Sequence, residues 1–551
     1  MPSLAERRSP DRAGRLSIVL LRPPAVFPKW AHATSLCPPL GLAYLAAALR
    51  EAGYPPRCVD AVGEDPFQQS PLPNSRFLSF GLATNQIVER IGDCDVLGVS
   101  LMFSHDWPIA KSIIGAIRRA YPRVIIVAGG EHPTAAARFC LEDCPAIDAC
   151  VVGEGEETIV DLVRALEQGR SLSTVEGIVY RTGDNVTATR RRARIRSVDD
   201  LPWPAWDLFP LESYLANGLS YGLDTGRSVP ILASRGCPFE CTFCSSPTMW
   251  TQLWRVRAVD EVIREMQHYI DRYQARNFDF YDLTMIVRKQ WVLDFCRQVI
   301  ERKWRITWQM PAGTRSEALD EEALGMMARA GLTNISYAPE SGSPATLRVI
   351  KKKVHLERMK SSIRAALDLG LNVKLNMIMG FPSESRRELR ETIAFLREMA
   401  AMGVHDAFIA CFAPYPGSEL FDELQRSERI PALDDDFFLG LTSYSDIFFS
   451  RSYAQGVTDR ELTAYRLRGM TAFYTASFAA RPARIGRLLG NLLAGREESR
   501  LDMALKQMIS RFVSSGRADR GRLAGSARLP GAHTPASVSA RRREDFDGSV
   551  K

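Results

Sequence analysis

The chain has 551 residues, 46% of them hydrophobic and 25% charged, ordinary proportions for a soluble globular protein and enough length for two or three domains with cores of their own. Its net charge of +7 is mild over that length and does not point to nucleic acid, and no uninterrupted apolar stretch is long enough to span a bilayer. Eleven cysteines, odd in number and scattered apart from one cluster, with no export-type apolar segment at the start, argue against a disulfide framework and fit a reducing cytoplasm.

Residues 1–15, polar and rich in arginine and serine, read as a disordered lead. Residues 16–21 (LSIVLL) form a first strand, ended by Arg22-Pro23-Pro24. Pro38, Pro39 and Gly41 punctuate the start of a helix over 42–52. A strand at 95–101, a helix at 109–120, a strand at 124–128 running into Gly129-Gly130, and a strand at 149–152 before Gly153-Glu154-Gly155-Glu156-Glu157 follow in turn. Strand and helix alternating at this spacing predict a parallel, doubly wound (Rossmann-like) sheet over 16–168, which takes a ligand beyond the carboxyl ends of its strands. Gly129 and Gly130 would let backbone approach a flat or bulky ligand there, although such glycines also make simple turns.

Residues 169–225 read as an ordered linker: 169–194 is polar with short β-like runs, and 198–210 (VDDLPWPAWDLFP) is rich in proline and tryptophan. An apolar strand at 229–233 then leads into Ser234-Arg235-Gly236-Cys237-Pro238-Phe239-Glu240-Cys241-Thr242-Phe243-Cys244. The three cysteines thus sit on a loop leaving a strand end, where a β/α barrel keeps its chemistry. Thiolates are the usual ligands of iron–sulfur clusters; a cubane takes four, so three clustered cysteines leave one iron open. A structural zinc knuckle is the alternative, but it needs a fourth ligand nearby, and His268 and Cys296 lie far along the chain.

Strands at 278–281, 306–310, 334–338, 373–379 and 407–412 alternate with amphipathic helices at 259–273, 289–302, 317–330, 356–369 and 385–402. With the strand before Cys237 they make six units, a partial (β/α)6 TIM-type barrel over 226–425. Its strand ends are polar: Asp282, Arg315, Glu340-Ser341-Gly342-Ser343, Gly380-Phe381-Pro382 and the segment 414–418 (PYPGS). Asp282 and Arg315 read equally well as site groups and as a salt bridge or helix cap. Met249, Trp250 and Trp254 read as core or as substrate lining. Residues 426–513 form a helical C-terminal region, in which 481–493 sets Ile485, Leu488, Leu489, Leu492 and Leu493 on one face and arginines on another. That helix reads as a cap over the barrel, or as a surface for peripheral membrane contact or a lipid substrate. Residues 514–551, rich in Gly, Ala, Ser and Arg, are expected to be disordered.

The frame RGCPFECTFCSSP, with C-x3-C-x2-C spacing and an aromatic before the last cysteine, resembles the cluster loop of radical S-adenosylmethionine (SAM) enzymes. The resemblance implies that Cys237, Cys241 and Cys244 hold a 4Fe-4S cluster whose open iron is chelated by the amino and carboxylate groups of SAM. An electron, from a flavodoxin- or ferredoxin-type donor, then cleaves SAM to a 5'-deoxyadenosyl radical. PESGS, MGFPSES and PYPGSEL are similar to the family's loops around SAM and its sixth-strand ending, which places Glu340 and Ser341 at the ribose or amino-acid part and Gly380, Phe381 and Pro382 beside the adenine. YDLTMIVRK departs from the family's usual acidic pair and Phe-Thr turn, leaving the role of Asp282 open.

RPP, CPPLGLAYLAAALREAGY, DVLGVSLMFSH, VAGGEHPTA and VVGEGEET, in that order, resemble the cobalamin-binding domain found ahead of the barrel in one branch of this family. By that resemblance, loops carrying Ser104 and His105, Gly129, Gly130, His132 and Thr134, and Gly153, Glu154 and Gly155 cradle the corrin and its nucleotide tail. The Asp-x-His-x-x-Gly pattern that supplies a lower cobalt ligand in cobalamin mutases is missing. Of His32, His105 and His132, the last is read as shaping its loop by a hydrogen bond. The resemblance implies a cytoplasmic methyltransferase acting on a non-nucleophilic carbon of a small-molecule or lipid substrate. One SAM methylates cobalamin, a second yields the radical that removes a hydrogen atom, and the substrate radical takes the methyl group. A radical cyclase of the tetrapyrrole type is the alternative, and a non-catalytic corrinoid or redox sensor a third reading.

Overall fold

A computed structural model describes residues 15–31, 36–73, 76–314, 319–430, 432–499 and 501–506. His32, Arg315, the tail 514–551 and the lead except Arg15 lie outside them. The elements below belong to one unit, Met1–Ala504.

Seven strands form the first sheet: β1 (Ile18–Arg22), β2 (Arg57–Asp60), β3 (Val96–Ser100), β4 (Ile125–Gly129), β5 (Ala149–Val151), β6 (Ile178–Thr182) and β7 (Asn185–Ala188). The first five are parallel in the order 2-1-3-4-5, so strand order reverses between β1 and β3, and the ligand crevice of such a sheet opens there. Helices Leu40–Glu51 and Glu156–Glu167 cover one face, and Trp107–Ala120 and Glu131–Asp143 the other. Burial on both faces is why β1, β3 and β4 read as unbroken apolar runs.

The structure departs from the sequence reading at the edges. β6 and β7, inside the segment read as a linker, form an antiparallel hairpin against β5. Their outer residues are exposed, and a half-solvated antiparallel edge tolerates that polar composition. β2 is a four-residue edge strand with only Val59 and Asp60 buried. A small sheet of Ala25–Pro28, Phe77–Phe80 and Gln69–Pro71 was likewise not foreseen.

The second sheet holds β8 (Ser228–Ile231), β9 (Asn277–Phe280), β10 (Thr307–Thr314), β11 (Leu332–Glu340), β12 (Asn372–Met379) and β13 (Asp406–Cys411), all parallel and adjacent in chain order. The expected six-unit open barrel is present. The linker enters its lumen: Asp279 accepts the Gly222 N–H at 2.9 Å, and Gln309 accepts the Leu223 N–H at 3.0 Å. Helix Asp459–Ala480 packs on helix Arg386–Met402 and on the edge strand β13. It is pinned by the fully buried Arg466, which donates to the carbonyls of Ser443 and Phe449 at 2.9 Å each. This helix caps the barrel's open flank. Helix Ala483–Ala494 does not: Asn491 is its one buried residue, and Ile485, Leu489 and Leu493 stand 46%, 57% and 91% exposed, so its apolar face points outward. Among the described residues no helix is long and apolar enough to cross a membrane.

Candidate active site

The cysteine loop is aimed by its neighbours. Asp282, just past β9, accepts the backbone N–H groups of Ala233 (3.1 Å) and Ser234 (2.5 Å) and the Ser234 hydroxyl (2.5 Å). Burial pushes its carboxyl up to about 6, and its role is to clamp the end of β8. Ser234–Arg235 then pairs antiparallel with Arg255–Val256, and the chain turns at Gly236, where φ is +88° and a Cβ would lie 2.0 Å from the Leu253 carbonyl oxygen. Beyond it Cys237, Cys241 and Cys244 are all half-buried. The Cys244 N–H donates to the Cys241 carbonyl at 3.1 Å, and the Ser246 N–H points at Cys244 Sγ at 3.4 Å. Thr242 joins the loop to the barrel's far side, donating to Ile350 O (3.1 Å) and accepting from Leu420 N (2.9 Å). Burial pushes the Cys244 thiol up to about 12, so iron must displace its proton. Among the described residues no group of three or more His, Cys, Asp or Glu is spaced to hold a single metal ion. A zinc knuckle needs four ligands on one ion, whereas a cubane takes one thiolate per iron, so a donor set of three thiolates on one loop is of the chemistry that would suit a cubane with one iron left open.

Two strand ends adjoin the loop. β11 closes on Glu340, whose φ of +66° is rare for a residue with a side chain and which is held by Lys352 Nζ at 2.9 Å. After β12, Gly380 takes φ +90°, and Phe381 places its ring 5.5 Å from Phe243 of the cysteine loop, with Pro382 half-buried behind it. Glu384, not singled out in the sequence, organises both turns. It accepts from Gly380 N (2.7 Å), Phe381 N (3.1 Å), Thr346 Oγ1 (3.3 Å) and Ser341 Oγ (3.4 Å). Ser341 also meets Thr392 Oγ1 at 3.0 Å, so its hydroxyl braces the turn.

On the first sheet, β3 ends at the crevice, with Met102 and Phe103 more than half exposed, a broad apolar surface of the kind a flat macrocycle covers. Ser104 Oγ lies 3.0 Å from His132 Nδ1, and the His132 ring is enclosed by Trp107 and Phe438 at 5.2 and 5.4 Å. Burial lowers His132 to about 3 and His105 to about 4, so both are neutral near pH 7. Beside His105, burial lifts Asp106 to about 7, with the Val26 N–H as its donor at 2.8 Å. Thr134 ties the loops after β4 and β5, donating to Gly130 O (2.7 Å) and accepting from Gly153 N (2.9 Å). Gly129 keeps its side open, its nearest neighbour 3.7 Å from where a Cβ would be, whereas at Gly130 (φ +121°) a Cβ would lie 2.5 Å from Leu101 O. Gly130→Ala is therefore expected to destabilise the protein by about 1–3 kcal/mol, read from thermal unfolding, while Gly129→Ala leaves stability nearly unchanged. Gly155 stands ahead of helix Glu156–Glu167, and Glu154 faces protein partners described below.

The two sheets' loops meet. Ser245, next to Cys244, donates to Glu131 at the start of helix Glu131–Asp143, and Thr248 donates to Gly417 O at 2.6 Å where Gly417 abuts Ala135.

A family model described as the B12 binding domain matches residues 30–163, and one described as the radical SAM superfamily matches residues 231–396. An uncharacterized methyltransferase of Pyrococcus horikoshii is 30% identical over 407 residues, which cover 74% of this chain and 83% of the relative. The chain belongs to the cobalamin-binding radical SAM enzymes. This radical SAM enzyme is also similar to the anaerobic magnesium-protoporphyrin IX monomethyl ester cyclase of Rubrivivax gelatinosus, 26% identical over 477 residues covering 82% of this chain and 81% of the relative. Among solved structures, the radical SAM methyltransferase TsrM of Kitasatospora setae, with cobalamin and a 4Fe-4S cluster bound, shares the fold with a TM-score of 0.60 over 75% of each chain at 15% identity. By the two matched family models the cofactors of this radical SAM enzyme are cobalamin and SAM.

Proposed function

We propose that the chain is a methyltransferase that moves a methyl group from cobalamin to a non-nucleophilic carbon of a small-molecule or lipid substrate. The observation that carries the reading is the meeting of the two crevices: the loop after β4 touches the cysteine loop through Glu131 and Ser245, so groups held on either side would face one space. Residues 16–168 would hold cobalamin with Ser104, His105, Gly129, Gly130, His132, Thr134, Gly153 and Gly155 shaping the cradle. Residues 226–425 would hold the cluster on Cys237, Cys241 and Cys244, and SAM along Glu340, Ser341 and Gly380 to Pro382. The bound cofactors supply the methyl group and the hydrogen-abstracting radical, and the protein positions them and excludes water. Tyr415 and Tyr444, both driven well above the ordinary phenol range by burial, add un-ionised hydroxyls near Asp106. The outward ridge of helix Ala483–Ala494 fits peripheral contact with a membrane or an apolar partner.

The similarity to the magnesium-protoporphyrin cyclase supports a second reading, oxidative ring formation on the same scaffold. One assay separates them. Anaerobic, reconstituted enzyme is given cobalamin, a strong reductant and SAM with a labelled methyl group. The expected result is label on cobalamin together with 5'-deoxyadenosine. Deoxyadenosine without labelled cobalamin would move the cyclase reading ahead.

A further inference from the structure

Glu154 was expected among the cobalamin contacts, yet both of its carboxylate oxygens are taken by protein. Oε1 lies 3.1 Å from Arg235 Nη1, and Oε2 lies 3.0 Å from Arg255 Nη1 and accepts the Ile195 N–H at 2.9 Å. Two residues on, Glu156 Oε1 lies 2.8 Å from Arg235 Nη2. All four charged side chains are no more than 7% exposed. The Arg235 guanidinium also rests over the rings of Tyr44, from helix Leu40–Glu51, and Trp250, just past the cysteine loop, at 5.2 and 5.7 Å. Arg194, also facing Glu154, makes the local balance three cations to two carboxylates.

The placement of these residues matters more than the strength of the pairing. Glu154 sits on the loop after β5, one of the loops that would bound the cobalamin crevice, and Glu156 opens the helix that follows it. Arg235 and Arg255 are cross-strand partners in the two-stranded ribbon beneath the cysteine loop. Only Gly236 separates Arg235 from Cys237, and the positive φ and crowded Cα of Gly236 leave that joint little freedom. A displacement of the β5 loop therefore reaches the first cluster cysteine through one side-chain contact and one residue of backbone. Buried charge pairs suit such a link, because breaking one side strands the other charge in a poor solvent.

We propose that Glu154 and Glu156, acting through Arg235 and Arg255, are positioning residues that register the cluster loop against the cobalamin loop, so that cobalamin binding and cluster retention are coupled. This rests on the function proposed above. By reciprocity the coupling is one free energy seen from either site, and couplings of this kind run from about 5-fold to about 150-fold.

The test uses the full chain reconstituted with iron and sulfide. Iron loss to a chelator is timed with and without hydroxocobalamin, and electron paramagnetic resonance spectra of the dithionite-reduced cluster are compared. For the wild type, cobalamin is expected to slow iron loss by about 5-fold or more and to change the spectrum. Glu156→Gln keeps volume and one acceptor; it should still bind cobalamin, read by its visible absorption, but lose most of the protection. Arg235→Lys, which keeps the charge without the fork, should be intermediate. Arg227→Gln, which breaks the pair with Glu212 and the bonds to the Tyr273 carbonyl away from the cysteine loop, controls for general destabilisation and should behave as wild type. Equal protection by cobalamin in wild type, Glu156→Gln and Arg235→Lys would overturn the coupling while leaving the function intact. A wild type that takes up neither cobalamin nor a cluster would instead overturn the functional reading on which the coupling rests.

Discussion

Replacing Cys241 with alanine is expected to end the reductive cleavage of SAM, measured as 5'-deoxyadenosine formed after dithionite reduction. The loss should exceed the roughly 100-fold typical of removing a group that merely supports a metal ligand, because in the role proposed for it the thiolate would itself be a ligand to one iron. The variant should nonetheless fold. The Cys241 carbonyl accepts the Cys244 N–H, and alanine keeps that carbonyl. The anchors on either side are backbone too, running from Thr242 to Ile350 and Leu420. A thermal midpoint near that of the cluster-free wild type, with iron content reduced, would assign the loss to ligation. Undiminished deoxyadenosine formation would remove the C-x3-C-x2-C loop from the role proposed for it.

The largest effect on stability is expected at Glu384. It is fully buried and receives four hydrogen bonds, two from the turn after β12 and two from the hydroxyls of Ser341 and Thr346. Glu384→Ala strands these donors, each at about 1–3 kcal/mol where no water replaces the acceptor, so a loss of several kcal/mol in chemical denaturation is expected. Glu384→Gln should be far milder. Its carbonyl oxygen can take the two backbone N–H groups, and its amide can donate to hydroxyls that rotate to accept.

The glutamine variant also exposes a pH effect. Burial lifts the Glu384 carboxyl from an ordinary 4.5 to about 7, so the folded state favours the neutral form. Its contribution is complete below about pH 4.5 and is lost as pH rises through 7, by at most about 3 kcal/mol. Asp282 and Asp106 are lifted in the same direction and titrate in the same window. The quantity to measure is therefore the difference between wild type and Glu384→Gln from pH 5 to pH 8. That difference should move in the variant's favour as pH rises; a constant difference would show that Glu384 does not change ionisation there.

What could be read ahead of the structure follows from how each residue's environment arises. The six barrel strands and the helices between them were legible because a strand buried on both faces must be an apolar run and a surface helix must repeat its apolar positions. Helix 259–273 was read with the ends it has. β2 and β7 were missed, and β6 was read only as a short β-like run within the linker, because short edge strands carry polar residues and owe their existence to a neighbour distant in sequence. Residue roles divided in the same way. The cysteines were legible as a spacing on a loop. Glu384 was hidden in GFPSES, where its one local signal was a carboxylate between two serines after a buried strand, and nothing local told that it would gather donors from the segments that follow β11 and β12. Glu154 and Ser341 were expected at cobalamin and SAM, whereas their side chains turn to protein partners.

The sequence by itself determined the succession of two α/β modules, the loop of three closely spaced cysteines and its place at a strand end, because periodicity and spacing are properties of adjacent residues. The tertiary structure alone decided which acids are tied to protein partners, how the β5 loop grips the residue before Gly236, and that helix Ala483–Ala494 turns Ile485, Leu489 and Leu493 outward. Those outcomes depend on burial and charge pairing between groups some eighty or a hundred residues apart, such as Glu154 with Arg235 and Arg255, and such partners are fixed only when the sheets pack.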